Sequence, residues 1–205
     1  QTCKNGLTVA NIENYTSTQG NRTSGSAHPS SSLGPTDDLR IKPEIGGLGF
    51  NIISANITGS SDYITLTGSS MASPNVSGSL LLLQQHYMNL NGVHMRAATL
   101  KGLAIHSSGE IDVLYTGPDA SRGYGLLNAE LATQVITEEG GSSVIKELNM
   151  LNLDREFVMY VYSDGSEPLV ASICWNDPSG PINTGIINDP TPVLVNDLDL
   201  RIENT

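Results

Sequence analysis

The chain has 205 residues, 38% hydrophobic and 15% charged, with a formal net charge of −11. That length supports one good core, or one core and a smaller second unit. Only 10 Lys plus Arg are present, without a cluster, which excludes a phosphate-backbone binder. No run of 18 apolar residues occurs, so no segment reads as a membrane span. The acidity fits the solubility of a secreted or surface protein, and also carboxylates that hold Ca²⁺.

Gln1-Thr2-Cys3 is not a natural initiation sequence, so the chain reads as cut from a longer one. Cys3 and Cys174 are far apart and form no CxxC; Cys174, in "LVASICW", reads as a buried free thiol. Sequons at Asn14, Asn21, Asn56 and Asn75 matter only in a eukaryotic secretory pathway.

"GLTVANIENY" alternates as a strand leading into a loop, and residues 15–36, rich in Ser, Thr, Gly and Asn, read as surface loop. Asp37 and Asp38 of the following "GPTDDLR" are turn residues. "IKPEIGG", "FNIISA" and "YITLTG" are short β-type segments parted by Gly and Ser turns. From Ser70 to about Asn89 the pattern turns helical, with Met71, Val76, Leu80, Leu83 and Tyr87 at spacings of three to five. Leu80 to Leu83 is apolar all round, which predicts burial on most sides. Pro74 is tolerable only near a helix start, which places that start near Ser70. "MRAATLKGLAIHSS" and "GLLNAELATQVITEE" predict two more amphipathic helices.

After "EEGGSS" the character changes. "SVIKELNML", "EFVMYVYS", "PLVASICW" and "PVLVNDLDLRI" are strand-like, and nothing later reads as a helix. A boundary near Gly140 divides a mixed α/β unit, 1–139, from an all-β unit, 140–205, expected to be a sandwich cut short.

"GSSMASPNVSG", residues 68–78, admits two readings. A serine there can be a plain N-cap. It can also be a nucleophile beside unpaired helix amides that stabilise an oxyanion, with small neighbours leaving room for a substrate backbone.

This stretch resembles the active-site motif of the subtilisin-like serine proteases, G-T-S-M-A-x-P-x-V-x-G, with Ser69 in place of Thr. "SSLGPTDDLRIKPEIGGLGFNIISA" is similar to the family's S-S-x-G-P-x-x-D-G-R-I-K-P-D-I-x-A-P-G-x-N-I-I-S-A, in the right order and at the right distance. "CKNGLTVANIENY" resembles its K-N-x-I-T-V-G-A strand, and "SRGYGLLNAELATQVI" its G-x-G-x-x-N-x-x-x-A ending. "ICWNDP…TPVLVNDLDLRI" resembles the W-S-D-x-P…L-V-N-D-L-D-L of the β-sandwich that follows the catalytic domain in some secreted alkaline members.

The resemblance implies an α/β fold. It implies the C-terminal half of a parallel-sheet catalytic domain, then a partial antiparallel, jelly-roll-like sandwich. It implies Ser70 as the nucleophile of a secreted endopeptidase acting on protein or peptide. In the family a histidine takes the serine's proton, an aspartate orients it, and an asparagine completes the oxyanion hole, all preceding the serine. No D-S/T-G or H-G-T-H motif precedes Ser70, and His28 lies in a non-matching loop. His86 and His94 follow the serine, and His106 ends the next predicted helix as a packing or surface residue. The N-terminal half of the domain is therefore an expected partner, as a separate chain or a preceding segment; the alternative is a non-catalytic binding or structural module. Two smaller departures are Gly47-Leu48-Gly49 for A-P-G and Ala10-Asn11 for G-A.

Asp197 and Asp199 share one strand face, two residues apart, and Asp177 lies in the partner motif. They read either as solvated strand-end aspartates or, by resemblance to calcium-binding sandwiches of the family, as a structural Ca²⁺ site.

Overall fold

Strand β1 runs Val9–Thr18 in the computed structural model, which describes residues 3–18, 21–109, 117–149, 156–166, 168–182 and 186–204. Strand β2 (Asn21–Ala27) folds back on it antiparallel, and β3 (Ile45–Leu48) pairs with it in parallel. The sheet order is β2-β1-β3, with Val9 beside Ile45 and Ile12 beside Leu48. Residues 125–127 extend it beyond β3, because Gly46 donates to the Gly125 carbonyl and accepts from Leu127 N. A second, two-stranded sheet is the hairpin of β4 (Ile52–Ala55) and β5 (Tyr63–Leu66).

Among the described residues three helices follow: α1 (Ser69–Asn91), α2 (Ala97–His106) and α3 (Ala129–Thr137). Helix α1 begins at Gly68 as N-cap and ends where Gly92, at φ 72°, donates to the Met88 carbonyl, a left-handed stop that glycine adopts without strain. Asn128 caps α3, its side chain accepting from Leu131 N at 3.1 Å.

Helices α1 and α2 pack on one face of the larger sheet. Ile45, Val76 and Ala104 pack together there, while Ala10, Ile12 and Leu126 form a cluster on the other face. Leu83, Tyr87, Met95, Leu103, Ala132 and Ile136 join the helices to one another. Glycine at position 47 is what lets α1 approach: a Cβ there would lie 2.7 Å from Val76 Cγ2 and 2.9 Å from the Ala72 carbonyl.

Several expectations change. Much of the polar 15–36 segment is a β-hairpin, because backbone pairing with an established strand needs no apolar side chains. The irregular register around Thr16, with Asn14 at φ 53°, is how a loop-like composition fits a ladder. Helix α1 is not covered on most sides: Leu81 and Leu82 are 70% and 67% exposed, since sheet and helices cover only its other face. Pro74 is the sixth residue of α1 rather than a first-turn residue, so the rung that the Ser70 carbonyl would accept is missing.

Among the described residues from 156 onward, none belongs to a strand. Alternation makes a segment fit for a sheet, but a strand needs a neighbour to pair with. Phe157, Tyr160 and Ile182 stay exposed. Met150 and Leu151 of the strand-like 143–151 lie outside the described residues. Both cysteines are free, and Cys174 is half-buried over Gly102. Burial pushes its thiol up, with Lys101 opposing, so it is a poor nucleophile.

Candidate active site

The turn from β5 into α1 is set by Gly68. Its N–H donates to the Gly49 carbonyl at 2.9 Å, and its carbonyl accepts from Met71 N at 2.9 Å and Ala72 N at 3.2 Å. Gly49 has no room for a side chain: a Cβ would lie 2.5 Å from the Gly68 carbonyl oxygen and 2.7 Å from Ala72 N. The two glycines thus lock the loop after β3 to the first turn of α1.

Ser70 is the second residue of that helix and is exposed. No side chain caps the helix, and no acidic residue occupies its first turn. Its amides therefore present the positive end of a 23-residue helix to whatever sits beside Ser70. Met71 is half-buried next to it, and Ala72 is fully buried beneath.

The histidines are engaged or placed elsewhere. His28 is held in its loop, with Nδ1 2.7 Å from Ser30 Oγ, Nε2 3.9 Å from Glu13 Oε2, and its ring 5.5 Å from that of Phe50. His86 Nε2 meets Thr137 Oγ1 at 2.9 Å, and His106 Nδ1 meets Ser172 Oγ at 3.0 Å at the end of α2. His94 is exposed just beyond α1. Among the described residues none supplies a base to Ser70 Oγ. Among the described residues this arrangement offers an oxyanion-stabilising helix end and a hydroxyl, and no proton acceptor that would activate it.

The three aspartates do not come together as ligands. Asp177 is 4% exposed, and its carboxylate accepts from Lys4 Nζ at 2.5 Å, Val195 N at 2.9 Å, and Asn196 N and Nδ2 at 2.8 and 2.9 Å. The Lys4 ammonium, against the cost of desolvation and with help from Val195 and Asn196, holds this carboxyl well below the usual carboxylate range. Asp197 and Asp199 are exposed. Among the described residues no group of three or more His, Cys, Asp or Glu is placed to hold a metal. A calcium ion takes six to eight oxygens. The Asp177 oxygens are already committed, and the cation beside them is Lys4, so the donor set does not fit Ca²⁺. Asp38 is a turn residue, accepting from Thr36 Oγ1 at 2.5 Å and Arg40 Nε at 2.8 Å.

Sequence reasoning missed a buried charge cluster in "IKPEI". Lys42, 2% exposed, pairs with Glu44 and donates to the Gly6 carbonyl at 3.1 Å. Glu44 also accepts from Thr8 N and Oγ1 at 2.7 and 2.5 Å and from Lys101 Nζ at 3.3 Å. Two charges two residues apart in an otherwise apolar segment just before β3 were the available signal. Burial pushes the Glu44 carboxyl up, but Lys42 and Thr8 outweigh it and leave it below its ordinary value.

Residues 1–126 match the family model of the subtilases, peptidase S8. Among solved structures, the chain is similar to the patellamide maturation protease PatA, at 22% identity and a TM-score of 0.51, over 68% of this chain and 45% of that one. It is also similar to the prenylagaramide maturation protease PagA, at 23% identity and a TM-score of 0.48, over 65% of this chain and 42% of that one. Fervidolysin from Fervidobacterium pennivorans, a keratinolytic enzyme related to subtilisin, matches at 22% identity and a TM-score of 0.47, over 63% and 19%. The chain thus spans less than half the length of each of these chains. With more than half of its residues inside the family model and a serine-bearing helix start at the motif position, the chain belongs to the subtilase family.

Proposed function

We propose that this chain carries the nucleophile of a secreted subtilisin-like serine endopeptidase, with Ser70 forming the acyl-enzyme on a protein or peptide substrate. The observation that carries this reading is an exposed Ser70 at the uncapped start of α1, within "GSSMASPNVSG". The general base, its orienting aspartate and the oxyanion asparagine come from outside residues 1–205, in a preceding segment or a partner chain. There the histidine would take the Oγ proton as the hydroxyl attacks the scissile carbonyl, and the Ser70 N–H at the start of α1 would meet the developing oxyanion.

Residues 140–205 form the second unit of this reading. Their alternating apolar segments suit a sandwich once further strands pair with them.

A second reading, a non-catalytic binding or structural module, is favoured by one observation: among the described residues no base faces Ser70. Peptide hydrolysis by the source protein, compared with its Ser70→Ala variant, separates the two. Activity lost in the variant supports the protease; no activity in the wild type supports the module.

A further inference from the structure

Asn11 is a polar residue on an apolar strand face. Along β1, Ala10 and Ile12 point into the cluster around Leu126, while Val9 packs with Ile45 and Val76 beneath α1. Period-two alternation puts Asn11 on the α1 side with Val9, and the parallel register sets it beside Gly47. Its exposure is 0%, and among the described residues neither Oδ1 nor Nδ2 has a hydrogen-bond partner. Its main chain, by contrast, is engaged: the N–H donates to Ser31 Oγ at 3.1 Å and the carbonyl accepts from His28 N at 2.8 Å.

The side chain is aimed at the start of the serine helix. One point in space, where a Cβ of Gly49 would sit, lies 2.7 Å from Asn11 Oδ1, 2.7 Å from Ala72 N and 2.5 Å from the Gly68 carbonyl oxygen. The amide of Asn11 therefore stands under the first turn of α1, whose amides no side chain caps. A buried amide with no partner is a cost that an alanine at the same place would avoid.

We infer that Asn11 is a positioning residue for Ser70: its buried amide, set beneath the Gly68–Ala72 turn, braces the first turn of α1 and so fixes the direction of the Ser70 hydroxyl and N–H. A small rotation of that turn would move Oγ relative to any base brought to it, and misplacement of this kind lowers rate without weakening substrate binding.

The inference rests on the proposed protease role for its kinetic readout, and hydrogen exchange reads it independently. In the 205-residue chain, Asn11→Ala should raise amide exchange at Ser70 and Ala72 by about tenfold while leaving the α3 amides unchanged. Unchanged exchange at both sites would overturn the inference whether or not the protein is a protease. In the complete source protein, Asn11→Ala should lower kcat by about tenfold at constant KM. Asn11→Asp, which sets a carboxylate under the same turn, should move the acidic limb of the kcat/KM profile to higher pH. Wild-type kcat and pH profile in both variants would make Asn11 a packing residue only. A wild-type source protein without peptidase activity would instead overturn the protease reading, leaving the exchange result to decide on Asn11.

Discussion

Lys4 Nζ lies 2.5 Å from Asp177 Oδ2, joining positions 173 residues apart. The joint is reinforced on both sides. Lys4 also donates to the Pro178 carbonyl at 2.7 Å, and Asn5 exchanges two bonds with the Asp177 main chain at 3.0 and 3.1 Å. Asp177 in turn holds the amides of Val195 and Asn196. One carboxylate thus ties two C-terminal segments to the residues just before β1.

Asp177→Ala should free those segments more than Lys4→Met does, because it also strands the Val195 and Asn196 amides. Limited proteolysis between residues 178 and 195 should quicken in both variants, and faster in Asp177→Ala. The folded-state pKa is depressed, so this stabilisation is complete above the ordinary value of 3.8 and is lost as pH falls below it. The thermal midpoint should be indifferent to Ca²⁺ and to chelator; a midpoint that rises with Ca²⁺ would restore the metal reading of these aspartates.

Glu44→Gln should destabilise the fold by about 3–5 kcal/mol, since it leaves Lys42 buried with its charge uncompensated. The sign with pH follows from the depressed folded-state value: the contribution is present above the ordinary 4.5 and fades as pH drops below it. Chemical denaturation at pH 7 and pH 4 measures both. Lys42→Met combined with Glu44→Leu should recover much of the loss.

Gly49→Ala should cost about 1–3 kcal/mol or more, because its Cβ meets main-chain atoms of Gly68 and Ala72 that cannot rotate away. Gly47→Ala should cost less, since one of its close neighbours is the Val76 side chain, which can shift. Equal urea midpoints for the two variants would contradict the locking of α1 to the β3 loop.

The serine helix from Ser70 to about Asn89 was legible because motif and period agree there, whereas its stop at Gly92 and the parallel pairing of β1 with β3 came only with the structure. The hairpin through Thr18 and Asn21 was hidden by polar composition, since backbone ladders do not require apolar side chains. Asp177, Asp197 and Asp199, three carboxylates in two strand-end segments, admitted a cation or solvent, and only tertiary structure could supply Lys4 as the cation beside Asp177. Leu81 and Leu82 show the opposite limit, an apolar run that the described residues leave exposed.

Met71 is half-buried beside Ser70. Peroxide should convert its thioether to a bulkier, polar sulfoxide at the edge of the site. Peptidase activity of the source protein should fall in step with oxidation at Met71 followed by mass spectrometry, and Met71→Ala should resist the loss. Full activity with Met71 oxidised would place the side chain away from the substrate.

The central claim is that Ser70 is a subtilase nucleophile whose base lies outside residues 1–205. Fluorophosphonate labelling, with the modified residue located by mass spectrometry, tests it most directly. The complete source protein should label at Ser70 and its Ser70→Ala variant should not, while the 205-residue chain alone should stay unlabelled. Rapid stoichiometric labelling of the 205-residue chain, or a complete protein that fails to label at Ser70, would contradict it.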